Sequence, residues 1–499
     1  MARIAVIGAG TGAMAAAARL AVAGHRVAVY ERTETYGGAV RRFERDGFSF
    51  DTGPGLLTLP AVWRDLFVKT GKEPLEDRVE LVQVDPSSRH LFADGTEVSL
   101  PNASRAGVVA ALDEALGAGA GGRWGDFLVR AREAWDRSRR PLLEEPLWPN
   151  WEVLAGREPY PAVPHKRLLR TRRAATLAEV GAWELRDPRL TALLESHALG
   201  YGLHPEAAPA SAAVLPYMEH AFGTWYVLGG ARELARAVYE RCLARKVEFH
   251  FGAEVTGVLE KDGRAAGLEL ADGTTAQADF VVGTRPWGLT GHQLYGAADV
   301  GPRPEGAAHG RVVVCLVLRG AREAGAAHRT VVHAPDRRAE LDALGRGEPP
   351  AGPTVRVDRP DDPALRPDEE HESVVLTATV PSRTVYDWAA PGAADSFADR
   401  MTEAAERAVP GLRERTLWRE VRTPVHTEAE TGVEGGGVPA PALAAAEGRF
   451  LYPPNSTRMA GLFGVGGWSH PGGGLAHAGM SGALVAGLIV EGPEFRGSQ

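Results

Sequence analysis

The pattern of apolar and polar residues over positions 1–31 predicts a strand, a helix and a second strand. Residues 4–7 are apolar at every position, as in a strand buried on both faces of a parallel sheet. An alanine-rich stretch follows and predicts a buried helix. The run RVAVY after His25 then predicts a second strand, which ends at Glu31.

Turn signals divide the next part of the chain. Residues 36–60 carry two groups of glycines around a short hairpin, and Asp94-Gly95 is typical of a hairpin turn. Residues 100–215 differ, because helical patterns interrupted by prolines dominate there. We interpret them as a separate helical layer.

The α/β pattern returns at residue 223. An amphipathic helix is predicted from about Ala231 to Arg245, followed by strands that include the hairpin at Asp272-Gly273 and the buried run ADFVVG. The last segment, 440–499, again has the order strand, glycine turn, apolar helix.

These regions predict an α/β fold with two domains. A doubly wound, Rossmann-like nucleotide-binding domain is expected to combine residues 1–95, 223–290 and 440–499. A mixed α+β substrate domain is expected from the inserted residues 96–222 and 291–439.

The first glycine turn predicts a dinucleotide site. Gly8 and Gly10 allow the backbone to turn tightly and to approach a pyrophosphate at the N-terminus of the next helix. Ala13 is small enough for close packing of this helix on the strand, and the Glu31 carboxylate is placed to accept hydrogen bonds from a ribose.

Composition narrows the class of protein. The chain has 499 residues and a net charge of -8, which argues against a nucleic-acid surface. Cys242 and Cys315 are too few for a disulfide framework or a metal site and fit a reducing compartment. We expect no membrane-spanning helix, and no cleavable signal peptide because the nucleotide pattern begins at residue 3.

Four blocks of sequence together resemble the phytoene desaturase and carotenoid isomerase group of the FAD-dependent amine oxidase superfamily. They are GAGTGA through Glu31, the stretch GG…FERDGFSFDTGPGLLT, the stretch GTWYVLGGARELARA with VEFHFGAEVTGVL, and GVGGWSHPGGGLAHAGMSG near the C-terminus. The resemblance implies non-covalently bound FAD as the cofactor.

The resemblance also implies which residues contact FAD. They are Gly8, Gly10, Gly12, Ala13, Glu31, Arg32, Gly38, Gly53, Pro54, Gly55, Leu56, Val255, Gly467, Gly473 and Gly474. Many members of the group have arginine directly after the second glycine of the GG pair, whereas this chain has Ala39. Either Arg41 or Arg42 is a candidate to replace it.

Two residues of the C-terminal block are candidates for catalysis. Trp468 has a ring that could stack on a substrate, and His470 could exchange protons. The alternative is that His470 only stabilises the C-terminal glycine turn and that Trp468 only forms part of the wall of the binding site. Desaturation by a flavin does not require a dedicated base.

The resemblance implies an FAD-dependent oxidoreductase that desaturates a carbon–carbon bond of a hydrophobic substrate of the isoprenoid or polyene class. The alternatives are a redox-neutral isomerase or a saturase, an oxidase of an amine or specialised metabolite, and a flavin-binding protein without catalysis. Oxygen or a quinone is the expected electron acceptor, because no second dinucleotide motif is evident.

A basic segment at residues 165–177 is relevant to whether the protein contacts a membrane. Its five cations, Lys166, Arg167, Arg170, Arg172 and Arg173, surround two leucines. As an amphipathic helix it would bind the surface of an anionic membrane, and the alternative is an ordinary solvated face. We expect a cytoplasmic protein, either free in the cytoplasm or in peripheral contact with a membrane through this segment.

Overall fold

The computed structural model describes residues 1–164, 170–284 and 309–497. The strands of these residues are β1 (Arg3–Ile7), β2 (Arg26–Glu31), β3 (Arg42–Arg45), β4 (Phe48–Asp51), β5 (Leu81–Gln83), β6 (Ser88–Leu91), β7 (Glu97–Leu100), β8 (Val163–Pro164), β9 (Thr171–Arg172), β10 (Trp225–Val227), β11 (Glu248–Phe251), β12 (Val255–Lys261), β13 (Arg264–Leu270), β14 (Thr275–Gln277), β15 (Phe280–Thr284), β16 (Gly310–Arg319), β17 (Arg329–Val332), β18 (Val355–Asp358), β19 (His371–Val380), β20 (Thr416–Arg422) and β21 (Leu462–Val465).

The α-helices follow the predicted distribution, with most of those in residues 100–222 lying in one helical layer. They are α1 (Thr11–Val22), α2 (Ala61–Gly71), α3 (Arg105–Leu116), α4 (Ala120–Arg139), α5 (Glu152–Gly156), α6 (Leu177–Val180), α7 (Pro188–Gly200), α8 (Val214–Phe222), α9 (Ala231–Ala244), α10 (Arg337–Gly345), α11 (Ala393–Ala405), α12 (Leu412–Arg415), α13 (Pro424–Thr431) and α14 (Leu475–Val490).

A parallel sheet organises the first half of the fold. Its strand order is β11-β2-β1-β15-β21, so it is assembled from segments near the start, the middle and the end of the chain. One face packs on the alanine-rich α1 together with α2, α9 and α14. The other face packs against the three-stranded sheet β12-β13-β14. The parallel strands with α1 between β1 and β2 form the Rossmann-like arrangement that the sequence predicts, and the α/β fold is confirmed.

A second, mostly antiparallel sheet has the strand order β20-β16-β19-β18-β17-β6-β7. One face of this sheet packs on α11, around Phe397 and Met401. Its first described strands in chain order are β6 and β7, the hairpin with Asp94-Gly95 at its turn. The predicted domain boundary at residue 95 therefore falls inside a hairpin of this sheet.

The basic segment is not a helix in its described part. Thr171–Arg172 pairs as a strand with Val163–Pro164, and the Arg172 guanidinium lies 4.1 Å from the ring centre of Trp183. A helix over all of residues 165–177 was therefore a wrong prediction, because pairing and stacking decide this stretch. Lys166 and Arg167 lie outside the described residues.

Within residues 1–164, 170–284 and 309–497, no helix is long and apolar enough to cross a membrane. The most apolar one, α14, is instead packed against α1 and α2.

Candidate functional site

A cavity of about 490 Å³ lies where the two halves of the fold meet. Its wall combines the ends of β1 and β2 with residues of β16, of α13, of the segment that precedes α14 and of the first turn of α14. The carboxyl ends of parallel strands are the usual place for a ligand in such a sheet. Twelve of the predicted site residues contribute to the wall, namely Gly8, Gly10, Gly12, Glu31, Arg32, Gly38, Gly53, Pro54, Val255, Gly467, Trp468 and Gly474.

The first glycine turn forms one end of the cavity. Gly8 has a φ of +87°, a conformation that L side chains rarely adopt. A β-carbon on Gly38 would lie 2.9 Å from Gly10 Cα, so the two glycine segments meet backbone to backbone. Helix α1 starts directly after this turn, and no side chain caps its first N–H groups. These donors are available to an anion in the cavity.

Glu31 lies at the end of β2 and is 7% exposed. Its Oε2 accepts the backbone N–H of Ala9 at 2.8 Å, and its Oε1 accepts the N–H of Thr33 at 2.9 Å and the hydroxyl of Thr33 at 2.8 Å. A carboxylate has about four acceptor positions, so one remains for a ligand on the cavity side. The carboxylate is also held in one orientation by these three donors.

The two candidate arginines after the GG pair are distinguished by their contacts. Arg41 lines the cavity, and its guanidinium donates to the Gly38 carbonyl at 2.9 Å and to the Glu430 carbonyl at 3.1 Å. Arg42 donates to the Gly229 carbonyl, and its Nη1 lies 3.4 Å from Glu233 Oε1. Arg41 is therefore the arginine that can meet a phosphate in the cavity.

The C-terminal glycine turn forms the opposite part of the wall. Helix α14 begins after Gly474, which has a φ of +104° and offers no side-chain cap to the helix. Gly473 is outside the cavity wall described here, and a β-carbon on it would lie 1.9 Å from the Pro439 carbonyl oxygen. Gly473 is thus required by packing of the turn against Pro439, whatever the cavity contains.

Three other predicted contacts also lie away from this wall. Ala13 is fully buried in α1. Gly55 and Leu56 line a separate, much smaller cavity of about 40 Å³, together with Arg356 and Asp358 of β18. Gly53 borders both cavities, so the two are neighbours.

The two catalytic candidates occupy different positions. Trp468 lines the cavity, with its ring centre 6.2 Å from that of Tyr452. His470 is fully buried away from the wall, and its Nε2 donates to the Glu145 carbonyl at 2.9 Å. Burial lowers the pKa of His470 to about 4, so the ring is neutral. This placement favours the alternative in which His470 stabilises the turn.

The cavity fits a dinucleotide cofactor. Two helices without capping side chains, α1 and α14, both begin at its wall, and the glycines there leave room that a β-carbon would fill. Glu31 supplies an acceptor at one side, and Arg41 supplies a cation. The donors suit phosphates, and the acceptor suits a ribose hydroxyl.

Part of the wall was missed by sequence reasoning. The cavity is also lined by residues 427, 430–433 and 437–439, by Tyr201 and by Arg311, although they lie far apart in the sequence. Residues 427–433 are brought there in part by Arg32, which donates to the Ala429 carbonyl at 2.5 Å, and by Arg41. No local motif marks these residues, and only the apolar pattern of β16 gave a signal near Arg311.

Comparison with known proteins agrees with this site. The family described as flavin containing amine oxidoreductase matches residues 14–490. The 4,4'-diapolycopene oxygenase of Methylomonas sp is 28% identical over 98% of both chains. The hydroxyneurosporene desaturase of Cereibacter sphaeroides is 30% identical over 98% of this chain and 97% of the relative.

Solved structures share the fold. An oxidoreductase from Methanosarcina mazei has a TM-score of 0.64 at 17% identity, over 97% of this chain and 99% of its own. Putrescine oxidase bound to putrescine has a TM-score of 0.61 at 13% identity, over 98% of this chain and 99% of its own.

Proposed function

We propose, from the premise that this chain belongs to the family of flavin-containing amine oxidoreductases, that it desaturates a carbon–carbon bond of a hydrophobic isoprenoid polyene. The chain is an FAD-dependent oxidoreductase. The observation that supports the proposal most is the full-length similarity to carotenoid desaturases and oxygenases, combined with a cavity that runs from the glycine turns to an apolar wall.

We assign the residues that hold FAD by their place in the cavity. Glu31 would accept from the ribose, while Arg41 and the free N–H groups of α1 would bind the pyrophosphate. Gly467 and Gly474 would border the flavin ring, because they line the cavity at the start of α14, and Gly53 would border it from the segment next to Ala39. When bound, FAD supplies N5 of the flavin ring as the hydride acceptor.

The protein's own part in the reaction is to position the substrate and exclude water. Val313, Val438, Pro439 and Trp468 give the cavity an apolar wall next to the C-terminal glycine turn. A chain held there would give up a hydride from one carbon, for which flavin N5 is the acceptor, and a proton from its neighbour to water at the edge of the cavity, and the single bond between them would become double. The carbon skeleton needs only to be held close and dry for this step.

The electron acceptor and the membrane contact are part of the same proposal. Oxygen or a quinone would reoxidise the reduced cofactor. A lipid-dissolved substrate would be reached at a membrane surface, with peripheral contact by the protein.

The test uses the purified protein. We expect a yellow protein that releases FAD on denaturation and whose flavin absorbance bleaches when a polyene substrate is added without oxygen. The product should carry one more double bond. A redox-neutral isomerase would rearrange the substrate without bleaching, and a saturase would consume pre-reduced flavin instead.

A variant of the wall sharpens this test. Trp468→Ala should retain FAD but bleach more slowly, since its ring contributes to the apolar wall. A colourless protein that cannot be reconstituted with FAD would contradict the whole proposal.

A further inference from the structure

One stretch of the cavity wall carries a cation, Arg311 of β16, beside Tyr201. Arg311 of β16 lies opposite Thr379 of β19, and Arg356 of β18 lies opposite Thr377 of the same strand. Directly opposite residues of an antiparallel pair point to the same face of a sheet. The face of the second sheet that is turned away from α11 therefore carries a row of cations.

The charges of this row are unequally paired. Asp358 accepts from Arg356 at 2.9 Å and from Arg329 at 3.2 Å, so one carboxylate serves two guanidinium groups. Glu219 of α8 is near the same arginines, and its carboxylate lies 3.5 Å from His197. Burial raises the pKa of Glu219, but His197 and the arginines outweigh it and lower the pKa to about 2.

Arg311 has no carboxylate partner among the described residues. Its guanidinium donates to the carbonyl of Gly200 at the end of α7, which uses one of its five N–H donors. Burial and the repulsion from Arg356 lower the pKa of Arg311 to about 9. A desolvated cation with spare donors is stabilised by an anion.

Tyr201 stands next to this cation on the same wall. Burial and the charge of Glu219 raise the pKa of Tyr201 to about 12, so its hydroxyl keeps its proton and can donate. Within residues 1–164, 170–284 and 309–497, that hydroxyl makes no hydrogen bond. A carboxylate placed between the two side chains would accept hydrogen bonds from both of them.

We propose that this end of the cavity binds a carboxylate at one end of the substrate, with Arg311 as its ion-pair partner and Tyr201 as a hydrogen-bond donor. The proposal rests on the proposed function and narrows its substrate to an isoprenoid polyene acid. Asp358 is already shared by Arg356 and Arg329, and of these three arginines only Arg311 lines the cavity, so a negative charge on the ligand would pair with Arg311. The polyene chain would extend from there along Val313 and Val438.

The test compares one polyene acid with its methyl ester of the same chain length, bound to the FAD-loaded protein. We expect the acid to bind roughly tenfold to a hundredfold more tightly than the ester, as for a hydrogen bond to a charged group. Arg311→Met should remove this preference and leave the ester affinity unchanged, and Arg311→Lys should restore part of it.

Thr379→Val is the matched control. The Thr379 hydroxyl donates to the Leu199 carbonyl at 2.5 Å, so both Thr379 and Arg311 hold the end of α7. If Arg311 only stabilises the end of α7, Arg311→Met and Thr379→Val should change the preference for the acid in the same way. We expect Thr379→Val to keep the preference for the acid.

Three outcomes would overturn the proposal: equal binding of acid and ester to the unchanged protein, loss of the preference in Thr379→Val, or loss of FAD in Arg311→Met. The last would assign Arg311 to the cofactor. Acid binding without any bleaching of the flavin would instead contradict the proposed desaturation and leave the carboxylate site standing.

Discussion

Arg41 and Arg42 are neighbours in the chain, yet their guanidinium groups serve different parts of the molecule. Arg41 reaches the cavity and the carbonyl of Glu430, while Arg42 reaches Gly229 and Glu233. Arg42 begins strand β3, where successive side chains alternate in direction. Arg41 therefore lines the cavity, and Arg42 does not.

We expect Arg41→Met to weaken FAD binding by roughly tenfold to a hundredfold, because a charge-assisted hydrogen bond to a phosphate is lost. Titration of deflavinated protein with FAD measures this. Arg41→Lys should recover part of the affinity. Arg42→Met is the control: it should lower stability but bind FAD normally, and an equal loss in both variants would refute the assignment.

At the scale of elements, α1 and α14 lie so close together that glycine is required between them. A β-carbon on Gly482 of α14 would lie 2.5 Å from the Gly12 carbonyl oxygen of α1, and one on Gly12 would lie 2.7 Å from the Ala478 carbonyl oxygen. Both helices begin at the cavity wall. Their separation therefore sets the distance between the two parts of the cofactor site.

We expect Gly482→Ala to lower the free energy of unfolding by about 1–3 kcal/mol through overpacking and to weaken FAD binding as well. Denaturant unfolding and FAD titration measure the two effects. Gly479→Ala is the matched variant on the same helix, since a β-carbon there would meet side-chain atoms of Val62 and Trp63 of α2. It should retain FAD, and flavin loss in Gly479→Ala alone would contradict the role given to the α1–α14 contact.

A substitution of Gly473 cannot test whether the C-terminal turn contacts FAD. Substituting Gly473 would drive a β-carbon into the Pro439 carbonyl and disturb the turn before any flavin is considered. A loss of FAD in that variant would thus report on folding.

At the scale of the whole molecule, the cavity is closed by segments from both halves of the fold. Residues 8–12 form the turn after β1 of the parallel sheet and the start of α1, while α13 and the strand β16 belong to the second half. Arg32 and Arg41 connect the two halves by donating to carbonyls of residues 429 and 430. A ligand in the cavity should therefore stabilise both.

We expect FAD to slow amide hydrogen exchange in α13 as well as in residues 8–12, because bound ligand lowers local opening on both sides. Mass spectrometry of the apo and FAD-loaded protein measures this. Helix α11, which covers the opposite face of the second sheet, should exchange at the same rate in both forms. Protection confined to residues 8–12 would contradict the shared wall.

Local spacing was enough to predict the glycine turn and the acidic residue that form one end of the cavity. The turn at Gly8, the small residue at position 13 and the acid at the end of β2 are consequences of how a strand, a turn and a helix follow one another. Helix α9 and the strand β15 were predicted for the same reason, since their periodicity is local. Their residues lie close together in the chain, so their relative positions follow from regular backbone geometry.

Only the tertiary structure decided the rest. Which of Arg41 and Arg42 faces the cavity, the burial of His470 against Glu145, and the placement of Arg311 beside Tyr201 all depend on contacts between distant segments. Such contacts depend on strand register and on which face of a sheet is covered, and a one-residue shift in register would turn every side chain of β16 to the other face. The sequence by itself thus determined the class of cofactor, and the fold determined which charged side chains line the rest of the cavity.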